Sequence, residues 1–304
     1  MVLRNLILFL SRRKWLRARM EQPGGAERLV RRFVAGRTLE DAVEVSRRLA
    51  GEGMLVTLDH LGENVTNDLE AAASLADYQD ALLRLRQERL NGTISVKLTQ
   101  LGLDLDAGAC RERVFLLCEE ALRSQTRVEV DMEASGYVDR TLALVEAAHA
   151  RTGNVRAVIQ AYLRRSEADV RRLNQLGIPV RLCKGAYLES ERVAYVEKRE
   201  VDENYARLMS LLLAEGSQPA LATHDRPLVR RALREMERRG IGPAEMEFQM
   251  LYGIGQELQR TILRAGCRLR LYVPYGAAWY PYFMRRLAER PANVWFLARN
   301  LMRA

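Results

Sequence analysis

Near its C-terminus the chain reads WYPYFMRRLAERP (residues 279–291), which places Tyr282, Arg285, Arg286 and Glu289 at i, i+3, i+4 and i+7. At 100° per residue these four share one face of a helix, while Phe283, Met284, Leu287 and Ala288 share the other. Two guanidinium groups side by side, each a planar fork of donors, could grip a carboxylate or phosphate. A solvated outer face would give the same pattern, so the segment alone leaves both readings open. Pro281 suits a first helical position and Pro291 stops a helix, so the spacing predicts a helix of about ten residues.

Other groups able to do chemistry sit where short apolar runs end: Asp59, Lys97, Asp131 with Glu133, Gln160, Arg181 with Lys184, Thr223 with His224, Gln249, and Tyr272. Asp131, Glu133 and His224 could supply metal ligands. The chain has only three histidines and no H-x-H or H-E-x-x-H spacing, so no metal site is expected. Cationic and amide groups outnumber carboxylates among these ends, which favours an anionic ligand. YGIGQEL (252–258) lacks the third glycine of a dinucleotide loop and is read as a connection between strand and helix.

The runs that carry these groups are MLVTL, TISVKL, RVEVDM, VRAVIQ, PVRLCK, PALATH, MEFQML and RLRLYV, starting at residues 54, 93, 127, 155, 179, 219, 246 and 268. Each precedes a stretch of helical periodicity such as VDRTLALVEAAHA. Eight strand-then-helix units predict an α/β fold of the (β/α)8 TIM-barrel type over residues 51–304, with the strand ends converging on one rim. Residues 1–50 are predicted to form an N-terminal helical arm broken around Pro23-Gly24-Gly25 and Gly36.

The 304 residues carry a formal net charge of +9, spread as arginines over helical segments rather than interleaved with aromatics, so no nucleic-acid partner is expected. Cys110, Cys118, Cys183 and Cys267 lack C-x-x-C spacing and are read as reduced thiols of a cytoplasmic protein. The N-terminal LILFL is too short for a signal core or a membrane span. Followed by Arg, Lys and Trp, it suits either peripheral membrane contact or docking on its own domain.

RLCKGAY (181–187), the Lys97 and Asp131 strand ends, ATHD (222–225), and YVPYG followed by YPYFMRRLAERPAN (280–293) together resemble the monofunctional bacterial proline dehydrogenases. The resemblance covers essentially the whole chain. It implies a distorted (β/α)8 barrel that holds FAD noncovalently over its C-terminal rim, with the last helix across the mouth. It implies oxidation of L-proline to Δ1-pyrroline-5-carboxylate, the first step toward glutamate, with electrons passed to a membrane quinone. The implied location is cytoplasmic, peripheral on the inner face of the cytoplasmic membrane, and a separate pyrroline-5-carboxylate (glutamate semialdehyde) dehydrogenase would consume the product.

The same resemblance assigns roles. Arg285, Arg286 and Lys97 would hold the proline carboxylate, Tyr272 would pack near the ring, and Glu289 would orient the arginine pair. Asp131 would sit close to these cations and Arg181 beside the reactive edge of the flavin. Gln160, Arg181, Lys184, Gly185, Ala186, Tyr187, Thr223 and His224, with Glu133, would hold the cofactor. Three cations about one empty site repel one another, so the helix is expected to close as a lid when substrate binds.

Overall fold

The protein was described from a computed structural model; the described residues are 30–62 and 65–289. Helix α1 (Leu39–Gly51) leads into β1 (Leu55–His60), α2 (Asp68–Gln87), β2 (Gly92–Val96), α3 (Ala107–Arg123) and β3 (Val128–Val130). A 3-10 turn (Ser135–Tyr137) then opens α4 (Val138–Thr152), β4 (Val155–Gln160), α5 (Ser166–Gln175), β5 (Val180–Cys183) and α6 (Lys198–Glu215). The chain continues through β6 (Ala220–Ala222), α7 (Arg226–Arg239), β7 (Glu247–Leu251), α8 (Gln256–Arg264), β8 (Arg268–Tyr275) and α9 (Trp279–Glu289). The strands form a closed barrel in the order β1 to β8, and every neighbouring pair is parallel. All eight apolar runs are therefore strands of the expected (β/α)8 barrel.

The alternation along the strands explains the packing. Leu58, Ile94, Val96, Val128, Val130, Leu182 and Phe248 are fully buried and belong to one core cluster with helix residues such as Tyr78, Leu117 and Tyr205. The intervening residues point into the barrel, where branched apolar side chains usually lie. Here many are polar: Thr57 meets Thr93 at 2.7 Å, and Arg156 on β4 reaches Glu247 on β7 at 2.5 Å, across the interior.

Of the arm expected over residues 1–50, residues 1–29 lie outside the described residues. Residues 38–51 follow a capping box, in which Thr38 and Asp41 satisfy each other's backbone donors. Val30, Phe33 and Val34 form a second apolar cluster with Trp279, Tyr280, Tyr282, Phe283 and Met284 of α9. Phe33 and Phe283 stand 6.1 Å apart between ring centroids. Helix α9 begins at Trp279 rather than at Pro281, because the aromatic pair preceding the proline packs into this cluster and supplies an extra half turn.

Candidate active site

The C-terminal ends of the strands enclose a cavity of about 660 Å³. Asp131, one residue past β3, is its most heavily partnered group. Its amide still pairs with Val96 at 2.9 Å, which carries the strand geometry one residue further and fixes where the carboxylate points. Oδ1 accepts from Ser95 Oγ at 2.9 Å and from Arg181; Oδ2 accepts from the Tyr272 phenol at 2.7 Å. Lys97 Nζ lies 3.4 Å from Asp131 Oδ2 and 3.1 Å from Asp59 Oδ1, bridging β1 and β3.

Burial pushes the Asp131 carboxyl upward, but the charges of Arg181 and Lys97 and the Tyr272 and Ser95 hydrogen bonds outweigh it and hold the group below the usual carboxylate range. Tyr272 moves the other way: burial, then Asp131 and Asp59, hold its phenol well above the usual value, so it remains a donor. The Arg181 guanidinium carbon lies 5.5 Å from the Tyr272 ring centroid. Cys183 borders the same floor, and burial pushes its thiol up to about 11, so it is a neutral wall rather than a nucleophile.

A second side of the cavity is built by backbone and amide groups. Gln160 donates to the Met132 carbonyl at 3.1 Å, while its buried Oε1 has no hydrogen-bond partner among the described residues. Gly185 has φ +103, and an added Cβ would fall 2.2 Å from the Tyr162 ring, so only glycine lets the chain pass there. Asp225 caps α7 through the Leu228 amide at 3.4 Å, and its Oδ2 accepts from Lys184 Nζ at 2.9 Å; Asp202 holds the same lysine. Thr223 Oγ1 accepts the Asp225 amide at 3.0 Å. His224 Nε2 accepts the Leu251 amide at 3.1 Å, so the neutral ring carries its proton on Nδ1.

Helix α9 covers the mouth: Tyr282 and Arg286 border the cavity, with the Arg286 guanidinium carbon 5.2 Å from the Tyr282 ring centroid. The side chains of Arg285 and Glu289 lie outside the described residues. The barrel thus brings Lys97, Asp131, Gln160, Arg181, Lys184, Gly185, Ala186, Tyr187, Thr223, His224, Tyr272 and Arg286 around one space. Glu133 does not border it. Its carboxylate turns to the Thr99 amide and hydroxyl at 3.1 and 2.6 Å, where it ties together the loops after β2 and β3. Asp59, Ser95 and Tyr282 are among the contributors that had no role assigned from sequence. Their signal was positional, since Ser95 lies two residues before Lys97 and period two puts both on one strand face.

The sequence profile of the family described as proline dehydrogenase matches residues 42–299. Proline dehydrogenase 1 of Bacillus subtilis is 37% identical over 302 residues, 99% of this chain and 100% of that protein. The proline dehydrogenase of Deinococcus radiodurans is 34% identical over 286 residues, 90% of each. Proline utilization A of Bdellovibrio bacteriovorus superposes with a TM-score of 0.84 at 24% identity, over 97% of this chain and 37% of that one, and shares the fold.

Proposed function

The chain belongs to the proline dehydrogenase family, and from that premise we propose that it oxidises L-proline to Δ1-pyrroline-5-carboxylate with bound FAD. The observation that carries this reading is one cavity holding Lys97, Arg181 and Arg286 about an ionised Asp131, beside the buried Oε1 of Gln160, which has no hydrogen-bond partner among the described residues. An acceptor left bare in a buried wall suits a ligand with a ring N–H, and a volume of about 660 Å³ suits a large planar cofactor with a small substrate.

When bound, FAD supplies the acceptor for the hydride equivalent that leaves the ring carbon beside nitrogen, chemistry that no side chain offers. Gln160, Lys184, Gly185, Ala186, Tyr187, Thr223 and His224 would hold it, and Arg181 would place a positive charge in the same cavity. Arg286 and Lys97, with Arg285, take the proline carboxylate; Asp59 and Asp131 hold Lys97 in place for this. Tyr272 fixes the wall against which the ring packs, because its hydroxyl is committed to Asp131. The nitrogen loses its proton to solvent, so the substrate gives up one proton and one hydride equivalent.

The electrons pass on to a membrane quinone, which requires peripheral contact with the inner face of the cytoplasmic membrane. Among the described residues no helix is long and apolar enough to cross a membrane. The product is an electrophilic cyclic imine, and a separate glutamate semialdehyde dehydrogenase consumes its hydrolysed form.

The reading is tested by incubating FAD-loaded protein with L-proline and a soluble electron acceptor, then trapping the imine with an aromatic amino-aldehyde. Imine formed one-for-one with acceptor reduced is the expected result. A protein that retains FAD yet yields no imine contradicts it.

A further inference from the structure

Arg181 is the upper part of a buried charge ladder that continues down the barrel, away from the cavity. Its Nη1 lies 3.1 Å from Glu129 Oε2. The other oxygen of Glu129 lies 3.1 Å from Arg156 Nη1, which itself reaches Glu247 Oε1 at 2.5 Å. Arg270 Nε closes the sequence on Glu247 at 2.9 Å. These five side chains, one each from β3, β4, β5, β7 and β8, are each at most 4% exposed. Cation and anion alternate at every step, and Arg270 Nε also lies 4.0 Å from Glu129 Oε1, so the charges are shared within one connected network. Neither Glu129 nor Arg156 borders the cavity.

Burying such a series costs more than filling the barrel with branched apolar residues. Its effect at the cavity is specific, because a low-dielectric interior transmits charge that water would screen. On the reading of the cavity as a flavin and proline site, we propose that Glu129 and Arg156 are positioning residues that set the charge Arg181 presents to bound ligands, acting with opposite sign. Removing the Glu129 carboxylate leaves the cavity floor more positive. Removing the Arg156 guanidinium leaves Glu129 with less opposing charge, Arg270 Nε at 4.0 Å being its remaining cation besides Arg181 among the described residues, so more of its charge acts on Arg181 and the floor becomes more negative.

The experiment compares Glu129→Gln and Arg156→Met in the FAD-loaded full chain. Calorimetry measures affinity for cyclopentanecarboxylate, a proline-shaped anion with no nitrogen to oxidise, and spectroelectrochemistry measures the flavin midpoint potential. Glu129→Gln is expected to bind the anion roughly tenfold more tightly and to shift the potential positive. Arg156→Met is expected to bind it roughly tenfold more weakly and to shift the potential negative. Glu129→Asp, which keeps the charge, should stay within about twofold of the parent. Shifts of the same sign in the first two variants, or none, overturn the proposal, since mere loosening of Arg181 would move both alike. Failure of both to fold also overturns it, because the ladder would then be a requirement of the barrel and nothing more. Failure of the underlying reading would look different: the parent protein would neither retain FAD nor bind the carboxylate.

Discussion

The residue that organises the cavity is Asp131, which touches Arg181, Lys97, Tyr272 and Ser95. Its own neighbours keep it ionised, so it offsets the cations until substrate arrives. Arg286 is the cation that faces the mouth from the covering helix. Arg286→Lys keeps the charge but loses the planar fork, and steady-state kinetics should show KM raised at least about tenfold with a smaller change in kcat. Unchanged KM would remove Arg286 from the carboxylate site. On the proposed placement of Arg181 beside the flavin, Arg181→Met should shift the flavin midpoint potential negative; an unchanged potential would contradict that role. Most of these residues were legible because each closes an apolar run, and a closed barrel gathers strand ends. Glu133 shows where that signal gives no direction: it is near a strand end, and the loop after β3 turns its carboxylate to Thr99.

At the scale of elements, strand and helix carry the site in different ways. Strand alternation was fully written in the sequence: in VEVD and VRLC the valines and leucine face the helices, and Glu129, Asp131, Arg181 and Cys183 face inward. What periodicity could not supply was the partner of each inward charge, which depends on register between strands distant in sequence. Gly185 illustrates a tight loop. Gly185→Ala meets both an unfavourable φ of +103 and the Tyr162 ring, and it should weaken FAD retention on dilution by at least about tenfold. Retention equal to the parent would contradict the cradle. Helix α9 is anchored through an apolar cluster of its own, separate from the barrel core. Phe283→Ala should cost that cluster about 3–5 kcal/mol. Hydrogen exchange over residues 279–284 should speed up while the barrel strands stay protected, and cyclopentanecarboxylate should slow exchange there in the parent. Equal exchange with and without the anion would argue against a closing lid.

Across the whole molecule, the barrel stores charge where such folds usually store branched hydrocarbon. Glu129, Asp131 and Glu247 are each pushed up by burial and pulled down further by facing arginines, so all three lie below their ordinary values of 4.5, 3.8 and 4.5. A depressed native carboxylate contributes stability that is complete above its unfolded value and is lost as pH falls through its native value. The urea midpoint should therefore fall steeply below about pH 4 and vary little from these groups above pH 5. A midpoint unchanged between pH 5 and pH 3 would contradict the ion-pair account of the core. The eight-unit architecture was legible because its repeat is regular, with each strand followed by a helix. The polar interior was legible as alternation but not as a connected ladder, because Arg156 and Glu247 are 91 residues apart and meet only when the barrel closes. The central claim, that this barrel holds a flavin which L-proline reduces, is tested most directly by the visible spectrum of the purified FAD-loaded protein without oxygen, before and after L-proline. The account predicts a yellow flavin band that bleaches with L-proline and returns when an electron acceptor is added. A band that persists at saturating L-proline, or a protein that stays colourless after reconstitution with FAD, would contradict it.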